Sequence, residues 1–135
     1  MKILQISIYW AARLVAALIL LQTLFFKFTA SPESVYIFSK VGMEPWGRIL
    51  VGVLELAAGV LLIIPVTAWL GAALAFGLMI GAIGMHLTLL GIEVMDDGGY
   101  LFFLALTVAL CSVYVLSRNG DKIGQVVSLF RRKIS

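Results

Sequence analysis

Four long apolar blocks constrain this chain more than any other feature. They run from about Ile3 to Phe26, Arg48 to Ile64, Thr67 to Leu90 and Tyr100 to Leu116. A run of about 18 or more apolar residues reads as a membrane-spanning helix. At about 1.5 Å per residue, each block covers most or all of a hydrocarbon core roughly 30 Å thick. Lipid offers the backbone no hydrogen-bond partners, and this selects helices. The short alternating segments of a β-barrel are missing. Composition agrees: 62% of the residues are hydrophobic and 13% charged, against about a quarter charged in a soluble domain. Residues 1–135 are therefore expected to form a single integral membrane domain of all-α class, a transmembrane four-helix up-down bundle.

The polar punctuation fits these boundaries. Pro65 marks a tight turn between spans two and three, and "MDDGGY" (Met95 to Tyr100) is a glycine-rich break before span four. The first span contains Arg13, is longer than a signal-peptide core and is followed by no small-x-small cleavage site, so it is expected to stay as an anchor. The tail, residues 119–135, reads either as an amphipathic surface helix, with Ile123, Val126, Val127 and Phe130 on one face, or as a frayed basic segment.

Four spans put both termini on one side. That side carries Lys2, Arg118, Lys122, Arg131, Arg132 and Lys133, and the opposite loops hold most of the acids. The positive-inside rule then places both termini in the cytoplasm. The basic tail reads as a topology signal and anionic-lipid contact, not as a nucleic-acid site. The expected location is a bacterial inner (plasma) membrane.

The loop from Lys27 to Arg48 is too long for a plain connection. Ser31 followed by Pro32 signals a helix start, and Gly42 signals a stop. A short extra helix between spans one and two is expected, either at the interface or dipping into the mouth of the bundle. Trp46 should anchor the start of span two at headgroup level.

Glu55 is the anomaly. It lies in "GVLELAAGVLLIIP", about 10 Å below the outer end of span two. An ionisable group at that depth normally faces a bundle interior or a wet cavity. Arg48, Gly52, Glu55 and Gly59 share a face, so Glu55 should look toward a closely approaching helix. Lys27 caps span one and His86 sits near the outer end of span three, so Lys27, Glu55 and His86 can meet in one half of the bundle. Gln22 is a weaker candidate, about 140° around the helix from Lys27. On span three, Ala75, Met79, Ala82 and His86 form one face. Gly77, Gly81, Gly84 and Thr88 form another, expected to pack closely on a neighbour. Span four offers Thr107, Cys111, Tyr114 and Arg118 on one stripe. Arg13 lies deeper and is expected to pair with another group or to snorkel. The cluster is read either as a register-fixing ion pair or as a ligand- and proton-handling site.

Some chemistries are excluded. One cysteine permits no internal disulfide or CxxC dithiol. One histidine rules out a His-rich metal site or bis-His haem within the chain. No metal is expected, and no catalytic residue can be assigned.

These elements together carry a resemblance. A Phe-Lys-Phe end to span one, a helical loop, the G-x-x-E-x-x-x-G-x-L-L pattern closed by Pro65, and "LGAALAFGLMIGAIGMHL" with its late His86 resemble the DoxX/DoxX-like family of small four-helix membrane proteins. The similarity covers about residues 10 to 118, and Lys27, Glu55 and His86 match the family's polar landmarks. The resemblance implies one of three roles: the small membrane subunit of a thiosulfate:quinone oxidoreductase, part of an oxidative-stress membrane complex, or a chaperone of other membrane proteins. Two functions follow as expectations. One is a redox-associated subunit holding a quinone or similar lipophilic molecule near Glu55 and His86, with a partner redox protein supplying electrons. The other is a non-catalytic assembly factor for other membrane proteins. The bilayer is a partner in both, and a homo-oligomer is compatible with either.

Overall fold

A computed structural model describes residues 2–135. Its elements are α1 (Lys2–Phe28), α2 (Pro32–Lys40), α3 (Trp46–Ile63), a 3-10 turn (Pro65–Thr67), α4 (Ala68–Met85), a π-helical turn (His86–Leu90), α5 (Tyr100–Ser117) and α6 (Gly120–Ile134). Four segments are long and apolar enough to span a bilayer: α1, α3, the run Pro65–Leu90, and α5. Between 22% and 39% of each span is buried. Most of their apolar surface therefore faces outward, as a lipid solvent allows and water does not.

The bundle closes as a ring in which α1 packs on α3 and α5, and α4 packs on the same two helices. Sequence neighbours are spatial neighbours, as in an up-down bundle. The core is built from small side chains: Ala16, Ala17, Ala58, Ala72 and Ala75 surround Leu20, Leu62 and Val108. Small residues let backbones approach, and in lipid this dispersion contact replaces the hydrophobic drive.

Close approach occurs at glycines on α3 and at the start of α4. A Cβ added to Gly52 would lie 2.7 Å from Phe28, and one on Gly59 would lie 2.9 Å from Leu21, so the face shared with Glu55 does meet α1. Gly71 seals α4 against α3, where an added Cβ would lie 2.6 Å from Leu62 N. The expected packing face of Gly77, Gly81 and Gly84 is corrected. All three are exposed, and a Cβ on any of them would meet nothing within 4 Å. Pro65 forces α3 and α4 together at their turn, and Gly71 lies in the adjoining first turns of α4. The later glycines lie beyond this pinch, on a side that no helix covers.

Two further groups fix the ends. Arg13 is 1% exposed, yet no carboxylate among the described residues pairs with it. Its Nε donates to Leu62 O at 2.8 Å and its Nη2 to Ile63 O at 2.7 Å, and its guanidinium lies 3.9 Å from the Trp10 ring centroid. These carbonyls end α3 and have no helical partner, and a cation there also meets the negative end of the helix dipole. Asn119 Nδ2 donates to Tyr9 Oη at 2.9 Å and to Val115 O at 2.7 Å, tying the end of α5 to α1.

α2 begins and ends as its residues dictate. Ser31 Oγ accepts from Ser34 N at 3.3 Å, and Pro32 opens the helix. Gly42 adopts φ +78°, and Met43 N then donates back to Phe38 O at 2.8 Å. This is a glycine-dependent helix stop. Trp46 is exposed at the first residue of α3. The tail is helical from Gly120 to Ile134, and none of those residues is buried.

Candidate functional site

The long-loop end of the bundle holds a cavity of about 410 Å³. Lys27, Glu55 and His86 all line it, with Gln22 and Thr23 from α1 and Ser34, Ile37 and Phe38 from α2. Its walls are mostly apolar, contributed by α1, α4 and α5.

Glu55 is 4% exposed, and its Oε2 lies 3.0 Å from Lys27 Nζ. Thr23 Oγ1 lies 3.3 Å from the same oxygen. The pairing follows from helix geometry. Side chains lean toward a helix's N-terminus, so Lys27 at the end of α1 reaches back along the bundle toward Glu55. Thr23 precedes Lys27 by one turn and shares its face. Arg48 holds the other end of this arrangement. Its Nε donates to Glu44 Oε1 at 2.8 Å, and its Nη1 donates to the Lys27 carbonyl oxygen. Lys27 is thus fixed at both ends, by Arg48 through its carbonyl and by Glu55 through its ammonium.

His86 opens the π-helical turn and is 5% exposed. Its Nδ1 lies 2.9 Å from Gly91 O. A carbonyl cannot donate, so Nδ1 carries the hydrogen. No hydrogen bond among the described residues uses Nε2, which leaves that atom free for a ligand. Gly91, at φ +80° and ψ 170°, turns the chain so that its carbonyl faces the ring; this backbone region belongs almost entirely to glycine. Phe102 packs edge-on to the imidazole at 5.5 Å between centroids. No hydrogen bond joins His86 to Lys27 or Glu55 among the described residues. The three residues share the cavity; the ion pair joins only two of them.

The loop before α5 is organised by Asp97. Its Oδ1 accepts from Val94 N at 3.0 Å and Gly99 N at 2.8 Å, and its Oδ2 accepts from Leu101 N at 3.2 Å. Burial pushes its carboxyl pKa up, but the three N–H donors and the charge of His86 outweigh this and hold it below the ordinary value. Asp97 thereby holds the start of α5, where Tyr100 and Leu101 line the cavity.

The stripe Thr107, Cys111, Tyr114 and Arg118 is not the inward face of α5. That face carries Ala105, Val108, Ala109, Ser112 and Val115. Thr107 satisfies its hydroxyl on Phe103 O at 2.9 Å within its own helix. Sequence reasoning did not assign Thr23, Ser34 or Asp97 to the site. Thr23 was findable from its one-turn spacing to Lys27, and Asp97 from the Asx-turn signal of "DDGG". Ser34 depends on how α2 folds back and had no local signal.

Four apolar helices around a polar-tipped internal cavity define a small polytopic integral membrane protein. The model of the DoxX-like family matches residues 11–116. The chain belongs to the DoxX-like family. No curated protein and no solved structure matches it.

Proposed function

We infer that this protein holds a quinone, or a similar lipid-soluble carbonyl compound, in the cavity at Lys27, Glu55 and His86, as a membrane subunit of a redox complex. One observation carries the reading: ionisable side chains, Lys27, Glu55 and His86 among them, converge on one mostly apolar cavity of about 410 Å³, within the range of small-molecule sites. The Lys27 ammonium offers hydrogen bonds to a carbonyl oxygen; His86 Nε2 accepts from a quinol hydroxyl while the ring is neutral and donates to a carbonyl oxygen once the ring is protonated. Quinone reduction takes up protons, and Glu55 and His86 are groups able to exchange them. A partner protein would supply the electrons. The proposed setting is the inner membrane of a bacterium, with both termini cytoplasmic, so the cavity lies in the outer half of the bilayer.

The second reading, a non-catalytic assembly subunit, is favoured by a different observation. Lys27 and Glu55 lie 3.0 Å apart and pair with each other, as a register-fixing ion pair would. Solvent extraction of the purified protein separates the two. Stoichiometric quinone that is lost in Glu55→Gln, with the fold retained, supports the first. Quinone-free protein with co-purifying membrane proteins, unaffected by Glu55→Gln, supports the second.

A further inference from the structure

The cavity is graded along the bundle axis. Lys27, Glu33, Ser34, Glu55 and His86 gather toward its long-loop end. Ile19 on α1 and Gly77 on α4 also line it, eight and nine residues before Lys27 and His86. That spacing is about 12–14 Å of helix. The walls at this depth include Leu20, Leu78 and Met79, all apolar. At about 410 Å³ the cavity sits near the lower end of small-molecule sites. It has room for a ring-sized head and a stub of chain, but not for a long lipid.

The wall of α4 is not continuous. Near the α3–α4 turn the seam is sealed by Gly71, where an added Cβ would lie 2.9 Å from Ala58 O. Gly81 and Gly77 lie about 80° and 120° round the helix from Gly71, on the side turning from α3 toward the bilayer. Both are exposed and both line the cavity, and a Cβ on either would meet nothing within 4 Å. The cavity therefore has a side opening at membrane depth, below its polar end, rimmed by residues without side chains.

We propose that the site takes a two-part amphiphile: a compact head bearing one oxygen against the Lys27 ammonium and a second against His86 Nε2, and a long apolar chain that leaves sideways over Gly77 and Gly81 into the bilayer. This rests on the head-group reading above and adds the chain and its route. A chain lying in lipid keeps its apolar solvent, so its length is not limited by the cavity. The exposed glycines then have a use that helix packing does not give them: any larger side chain at the rim would stand in the path of the chain.

Photoaffinity labelling tests this with two azido-benzoquinones, one carrying a single isoprene unit and one carrying ten, and with labelled peptides mapped by mass spectrometry. In the wild-type protein both probes should label the cavity, the long one at a half-saturating concentration no higher than the short one. In Gly77→Leu/Gly81→Leu the long probe should need at least tenfold more, while the short probe shifts less than twofold. A wild-type protein that accepts the short probe and rejects the long one overturns the side route but leaves the head-group reading standing. Equal shifts for both probes in the double variant, or none, overturn the route in the same way. Labelling by neither probe overturns both readings. If the double variant does not elute as a folded species, the chain-length comparison in the wild-type protein decides.

Discussion

Removing either partner of the Lys27–Glu55 pair should cost far more than removing both. The two side chains are 15% and 6% exposed, and their charged atoms lie 3.0 Å apart. Breaking a buried pair from one side strands a charge, at a cost of about 3–5 kcal/mol. Lys27 retains some access to solvent, so the low end, about 3 kcal/mol, applies to Glu55→Leu. Lys27→Met leaves the more deeply buried Glu55 with only Thr23 and should cost at least as much. The double variant strands nothing and should lose only about 1 kcal/mol, because apolar replacements of a buried pair are often near neutral. The coupling is then on the order of 5 kcal/mol, where independent sites would show about 0.5 or less. Each kcal/mol moves a midpoint by roughly 4 °C in a chain of this size. The single variants should therefore melt on the order of 10 °C lower in detergent, by fluorescence-detected size exclusion after heating. The double variant should recover most of that loss. A double variant whose loss equals the sum of the singles would refute the pairing as an energetic unit.

The remaining predictions concern the scaffold. Gly71→Ala should destabilise by about 1–3 kcal/mol, because its Cβ would press on α3 backbone, while Gly81→Ala should leave the melting profile unchanged. Arg13→Met should cost about 2–4 kcal/mol by orphaning the Leu62 and Ile63 carbonyls, read by the same melt. Asp97 has a folded pKa below its unfolded value, so its ionisation stabilises the fold. That stability is complete above the unfolded pKa of about 4 and is lost as pH falls through the folded value. Asp97→Asn should lower the midpoint at pH 6 and flatten its decline below about pH 4. Cysteines placed at Lys40 and Arg132 should label from opposite sides of intact cells, and same-side labelling would overturn the topology.

The sequence alone determined the solvent and, with it, the architecture. Runs of apolar residues as long as a bilayer permit only helices, and four of them joined in sequence across the bilayer permit an up-down ring. The helix signals at Ser31, Pro32 and Gly42 were equally legible, because caps are local chemistry. So was the inward direction of Glu55, since a lone carboxylate in an apolar helix must find protein or water. Which glycines pack was not legible. Gly71, Gly77 and Gly81 are alike as residues, and only the pinch of α3 and α4 beside Pro65 makes the first a contact and leaves the others on an open rim. The partners of Arg13 were hidden for a related reason. They are backbone carbonyls at a helix end 49 and 50 residues away, and carbonyls carry no side-chain signature. The joining of Lys27 to Glu55, with His86 apart at Gly91, was likewise decided by tertiary structure. Spacing sets the depth of a side chain in the membrane, but the rotation of each helix about its axis is fixed only when the small residues of all four have packed.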